Sequence, residues 1–181
     1  MTTRILALVG SMRAGSYNRR LAEAAVKYAP EGIDVEIFEG LGEVPFYNED
    51  LDRPGDVPDP AQALRNAVQR ADALLLVTPE YNGSLPAVLK NAIDWTSRPH
   101  RGGAITGKPV AVVGASNGRH GGVWAHDDTR KTAGIAGARV LEDVALSVPR
   151  AAERFATIDP VDDDEVATAL LDILATLAAA A

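Results

Sequence analysis

The chain has 181 residues, 46% apolar and 24% charged, with 18 basic against 25 acidic side chains and a formal net charge of −7. That balance fits one folded domain spanning residues 1–181 and excludes a disordered chain, while the acidic excess argues against a nucleic-acid surface. Cysteine is absent, which removes disulfides, thiolate metal sites and a thiol nucleophile.

Ile5 to Val9 is a short apolar run that stops at Gly10. It reads as a strand buried on both faces and is too short for a signal-peptide core. A polar loop from Gly10 to Tyr17 follows, then a helical pattern from Asn18 to Ala29 with Leu21, Ala25 and Tyr28 on one face and Asn18 as N-cap. The same order repeats. Val35 to Phe38 is a second strand, and a long connection rich in Gly, Pro and Asp leads to a short helix over Pro60–Arg70. Ala73 to Val77 is a third buried strand and Pro86 to Trp95 a third helix, with proline at its start. Val110 to Val113 is a fourth strand ending at Gly114, a weaker helix covers Val123–Ile135, and Arg139 to Leu141 opens a fifth strand. The last helix starts near Asp162, with Val166, Leu170, Ile173, Leu174 and Leu177 as its apolar stripe. Five strand–helix units predict a doubly wound α/β sandwich. No stretch reaches the ~18 consecutive apolar residues of a membrane span, so a soluble cytoplasmic protein without membrane or nucleic-acid partners is expected.

In such sheets a ligand sits at the carboxyl ends of the strands, where the strand order reverses. The loop after the first strand, Gly10 to Asn18, carries Ser11, Arg13 and Ser16 at a helix N-terminus, where unpaired N–H groups and the helix dipole attract anions. It is not a Walker A loop, because Ser16 stands where the lysine belongs, nor the dinucleotide fingerprint, because Met12 stands where the second glycine belongs. A monophosphate cradle suits it, and a polar turn with incidental serine and arginine is the plain alternative. The loop after the third strand, Thr78 to Pro86, sets Tyr81 between two prolines. It can present backbone N–H groups to the edge of a flat ring, or serve as a stiff connector.

These loops carry a family resemblance. Gly10-Ser11-x-Arg13-x-x-Ser16-x-Asn18, Pro79-Glu80-Tyr81-Asn82-x-Ser84-x-Pro86-x-x-Leu89-Lys90-Asn91-Ala92-Ile93-Asp94-Trp95 and Gly114-Ala115-Ser116-x-Gly118 closely resemble the NADPH-dependent FMN reductase family. That group is flavodoxin-like and includes quinone, azo-dye and chromate reductases. The similarity runs from about Arg4 to Gly122 and more loosely to Pro149. It implies a five-stranded parallel sheet of order 2-1-3-4-5 and a bound FMN. Ser11, Arg13, Ser16 and Asn18 would hold the phosphate, with Tyr17 close by. Pro79, Glu80, Tyr81 and Asn82 would line the isoalloxazine ring, with Gly83 near its edge and Ser116 and Gly118 beside it. The resemblance further implies NADPH or NADH as co-substrate, a small-molecule electron acceptor, and a homodimer or homotetramer with the Pro86–Trp95 helix at the interface. Trp95 would then be exposed, or else part of the core. From Val123 to Arg130 the chain departs from the family's more basic, Gln- and Leu-rich helix.

Flavin supplies the redox chemistry, so no catalytic acid–base pair is required and none stands out. The expected reaction is ping-pong transfer of two electrons from the nicotinamide to a quinone, a flavin or a similar acceptor. Glu80 is expected to cap or brace its loop, Arg119 and Arg101 to be solvated or to meet the 2′-phosphate of NADPH, and Asp127-Asp128 to be a solvated helix face. Trp124 either shields the ring or fills the core. His100, His120 and His126 lack metal-ligand spacing, and no metal is expected. Two rival readings are an FMN-binding electron carrier or redox sensor without turnover, and an enzyme for another phosphorylated ligand held by the same cradle.

Overall fold

A computed structural model describes residues 2–181. The strands are β1 (Thr3–Val9), β2 (Ile33–Ile37), β3 (Ala73–Val77), β4 (Pro109–Ala115) and β5 (Arg139–Val148). All neighbours pair in parallel, in the order β2-β1-β3-β4-β5. The helices are α1 (Tyr17–Lys27), α2 (Asp59–Arg70), α3 (Ala87–Thr96), α4 (Val123–Ile135), the single turn α5 (Ala151–Arg154) and α6 (Asp164–Ala180). This is the doubly wound, flavodoxin-like sheet expected. Its order reverses between β1 and β3, the switch point where such sheets bind ligands.

Alternation within each apolar run feeds two cores, because successive strand side chains point to opposite faces. Ile5, Ala7, Val9, Leu75, Val77, Ala111 and Val113 pack under α1 and α6, against Leu21, Ala25, Leu170 and Leu174. Leu6, Leu8, Leu74, Leu76, Val110 and Val112 pack under α2, α3 and α4, against Leu64, Val68, Leu89, Ile93 and Ala133. Both faces of the central strands are therefore dry, which is why they read as unbroken apolar runs.

Several local expectations are corrected. The N-cap of α1 is Ser16, whose hydroxyl accepts from the Arg19 N–H at 3.3 Å, and Asn18 lies inside the helix. The last helix starts at Asp164, with Asp163 accepting from the N–H groups of Glu165 and Val166. Strand β5 runs on to Val148, and its register against β4 jumps between Val140 and Ala145. At this sheet edge its outward side chains meet solvent, so no apolar run marks its length. Trp95 is wholly buried and its indole N–H donates to Pro45 O at 2.7 Å, so it is a core residue. The long connection after β2 folds over it. The Asn91 amide donates to the carbonyls of Val44 and Pro45 and accepts from the Tyr47 N–H. Arg65 grips Asp52 through two bonds of 2.7 and 2.8 Å, holding that carboxyl below the usual range.

Candidate functional site

The end of β1 sets the first wall. Gly10 is tied to β3 by its N–H to Val77 O, and a Cβ there would come within 2.7 Å of the Pro86 ring. Only glycine lets these two loops approach so closely. The chain then turns through Ser11 to Ser16 into α1. The first turn of α1 carries no acidic side chain, unlike that of α6, which carries Asp164 and Glu165. The positive end of the α1 dipole is thus left for an outside anion. Arg13 stands exposed beside it, its guanidinium 5.5 Å from the centre of the Tyr17 ring.

Asn18 is buried, and both ends of its amide are engaged by one residue. Nδ2 donates to Ala115 O at 2.9 Å, and Oδ1 accepts from the Ala115 N–H at 2.8 Å. Its place is to fix the end of β4 against the start of α1. Beyond Ala115, the Ser116 hydroxyl accepts from the Gly118 N–H at 3.2 Å. Asn117 accepts from the Ala152 N–H at 3.0 Å, which brings α5 against this loop.

The loop after β3 is a tight hairpin. Tyr81 and Ser84 exchange two backbone hydrogen bonds of 3.0 and 3.1 Å. Asn82 and Gly83 between them have φ of 52° and 75°, a type I′ turn, which requires residues that tolerate the left-handed region. Two contacts brace it on α4. The Ser84 hydroxyl donates to Asp128 Oδ2 at 2.7 Å, and Glu80 Oε2 accepts from the Ala125 N–H at 3.2 Å, at the positive end of that helix. Glu80 thus braces its loop, and Asp128 is not a free solvated carboxylate. Trp124 is 57% exposed and lies over Gly83, so it is a surface ring at this hairpin and not a core residue.

Behind both loops sits His126, which is 2% exposed. Its Nε2 faces the backbones of Gly114 and Gly122 and has no hydrogen-bond partner among the described residues. Burial, helped by Arg130 and opposed by Asp127, pushes this imidazole down to about 4, so it is neutral near pH 7.

The three loops surround one open hollow. Ser11, Arg13, Ser16, Tyr17 and Asn18 line it from the first loop, Pro79, Glu80 and Tyr81 from the second, and Ser116 from the third. Asn82, Gly83 and Gly118 do not line it; they form the turns that shape its walls. Ala115 of the third motif lines it too, as do Asn117 and Ala151, which the sequence does not single out. Asn117 was legible as the residue between two named neighbours, whereas Ala151 carries no local signal and arrives through the fold of β5.

The hollow joins a helix N-terminus with two serines and an arginine to a rigid loop with an exposed aromatic. Residues 3–153 match the family described as NADPH-dependent FMN reductase. The chain belongs to that family. It is therefore an NAD(P)H-dependent oxidoreductase of the flavin and quinone reductase type. It is 44% identical over 128 residues to a quinone reductase of Pseudomonas putida, covering 71% of this chain and 68% of that one. It is 42% identical over 130 residues to a 2-hydroxy-1,4-benzoquinone reductase of a Burkholderia species, covering 72% and 69%. Among solved structures, it superposes on FerB, a flavoenzyme NAD(P)H:(acceptor) oxidoreductase from Paracoccus denitrificans, with a TM-score of 0.85. The identity there is 30%, over 98% of this chain and 96% of that one.

Proposed function

We propose that the hollow binds FMN and that the protein passes two electrons from NADPH or NADH to a quinone, a flavin or a similar small acceptor. One observation carries this reading: the hollow at the β1/β3 switch point runs from an uncompensated helix N-terminus with Ser11, Arg13 and Ser16 to the rigid Pro79–Tyr81 segment. The first part suits a dianionic phosphate and the second a flat ring. Bound FMN would supply the hydride acceptance and the onward two-electron transfer.

The protein's own groups bind and orient. The Arg13 guanidinium and the hydroxyls of Ser11 and Ser16 would donate to the phosphate, as charge-assisted bonds on a dipole of matching sign. Asn18 would hold the cradle against β4 through the two bonds of its amide to Ala115, with a second Nδ2 hydrogen left for the phosphate. Backbone N–H groups of the Glu80–Gly83 hairpin would lie toward the ring edge, where negative charge develops on reduction. The hairpin has little freedom to move, since Glu80 and Ser84 tie it to α4. Nicotinamide and acceptor would occupy the same mouth in turn, which predicts parallel lines in steady-state kinetics. The reaction needs reduced pyridine nucleotide, and a cytoplasmic location is proposed on that ground. We also propose a homodimer or homotetramer formed through α3 and α4, where Ile135 is 78% exposed beside a groove lined by Lys90, Ile93 and Thr132.

The test is a visible spectrum of protein reconstituted with FMN, desalted, and treated anaerobically with NADPH and then NADH. Retained flavin that bleaches within seconds supports the reading, and flavin retained without bleaching turns it into a carrier or sensor. A colourless protein assigns the cradle to another phosphorylated ligand. Light scattering in solution checks the assembly, and a monomer would refute that part.

A further inference from the structure

We propose that Tyr17 is a positioning residue for Arg13, holding its guanidinium on the cofactor side of the phosphate loop. The proposal rests on the FMN reading above and goes beyond it, because it gives Tyr17 a role that contact with the flavin does not describe.

Arg13 stands between two depressions. It lines the hollow described above and also a second crevice on the other flank of the loop, which contains Glu39 and Glu43. Glu39 is occupied by Arg19, through bonds of 2.9 and 2.5 Å, but Glu43 makes no ion pair among the described residues. A long, exposed arginine on this ridge has an anionic alternative to the phosphate, and choosing one conformer has an entropic cost. Among the described residues, the contacts that bias it are local. Its guanidinium lies 5.5 Å from the Tyr17 ring centre, within cation–π range, and its one hydrogen bond is a long 3.4 Å contact to Ala14 O.

Tyr17 lines the hollow and not the crevice, so stacking on its face keeps Arg13 on the hollow's side. The ring is itself fixed. Phe155, 7% exposed, backs it at a centroid distance of 5.4 Å and an interplanar angle of 42°, an aromatic pair that locks a half-buried side chain. The Tyr17 hydroxyl makes no hydrogen bond among the described residues, so the ring face and not the polar tip is what acts. Phe155, Tyr17 and Arg13 thus form a stack from the core to the phosphate loop. It prepares a guanidinium before the phosphate arrives and so reduces the ordering needed on binding.

The test compares two ligands that share the ring and differ in the phosphate. Apo-protein is titrated with FMN and with riboflavin, following flavin fluorescence, for wild type, Tyr17→Leu, Tyr17→Phe, Arg13→Ala and the double variant Tyr17→Leu/Arg13→Ala. Tyr17→Leu is expected to weaken FMN binding by about 3- to 20-fold, the size of a cation–π contact, with riboflavin affinity unchanged within about twofold. Tyr17→Phe should bind FMN like wild type, and Tyr17→Leu should have no further effect once Arg13 is alanine. Should Tyr17→Leu not fold, the same expectations apply to Tyr17→Met. The proposal is overturned if Tyr17→Leu weakens both ligands equally, if Tyr17→Phe loses as much as Tyr17→Leu, or if the two losses simply add. If Arg13→Ala leaves the preference for FMN over riboflavin intact, the phosphate cradle itself falls, and the role of Tyr17 with it. That outcome is distinct from the first three, in which Arg13 still matters.

Discussion

His126 makes stability depend on pH in a way that the wild-type structure and one variant can isolate. Its imidazole is buried behind the two loops that wall the site, with Nε2 unpartnered. Desolvation first, and then repulsion from Arg130, lower it from 6.5 to about 4. In the unfolded chain the same group titrates near the ordinary value. Between those two points the unfolded state therefore binds the proton and the folded state does not, so stability falls as pH falls. The contribution is complete above about pH 6.5, is lost progressively down to about pH 4, and levels off below that. Over the full interval the loss is about 3 kcal/mol, and between pH 7.5 and 5.0 it is about 2 kcal/mol. The assay is urea unfolding of apo-protein at several pH values, for wild type and for His126→Leu, which removes the titrating group and keeps an apolar side chain of similar bulk. Wild type should lose about 2 kcal/mol more than the variant across that range. Parallel stability curves would refute the reasoning, as would an NMR titration in which His126 protonates near pH 6.

The remaining expectations concern the cradle and its supports. Arg13→Ala should weaken FMN binding by about 1.5–3 kcal/mol through loss of a charge-assisted bond, measured by flavin fluorescence, with the unfolding midpoint of the apo-protein little changed. Asn18→Leu should destabilise the apo-protein by about 2–4 kcal/mol, because it strands both the N–H and the C=O of Ala115 in a buried position; urea denaturation measures it. Gly114→Ala would drive a methyl group onto the Thr78 carbonyl and to within 2.7 Å of His126 Nε2. A backbone oxygen cannot rotate away, so the loss of stability should be about 3 kcal/mol, and His126→Ala in the same chain should not restore it.

The two motif loops were legible because their information is local. A hydroxyl at a helix start and an Asn-Gly pair in a tight turn each act within a few residues, as Ser16 and the Asn82-Gly83 turn do here. Gly10 differs, since the Pro86 ring that it admits belongs to the next motif. The bracing role of Glu80 could be read from its position, although its partner, the Ala125 N–H, could not. Asn18 has the residue type and position of a cap and is a clamp instead, since the competing cap at Ser16 lies close by and the Ala115 backbone that captures the amide is far along the chain.

From the sequence alone came the strand–helix alternation, the buried centre of the sheet and the three loops that carry the chemistry. Strands dry on both faces must be apolar throughout, and functional loops must follow their carboxyl ends. Only the tertiary structure decided that Trp95 is buried, that Trp124 is exposed, that Ala151 reaches the hollow and that His126 Nε2 has no partner among the described residues. Each of these depends on which distant segment folds over the residue. The connection after β2 covers Trp95 and the end of β5 delivers Ala151, while the Gly114 and Gly122 backbones enclose His126. Periodicity shows which face of an element is turned inward, but burial and partnership are settled by contacts between segments that lie far apart in the chain.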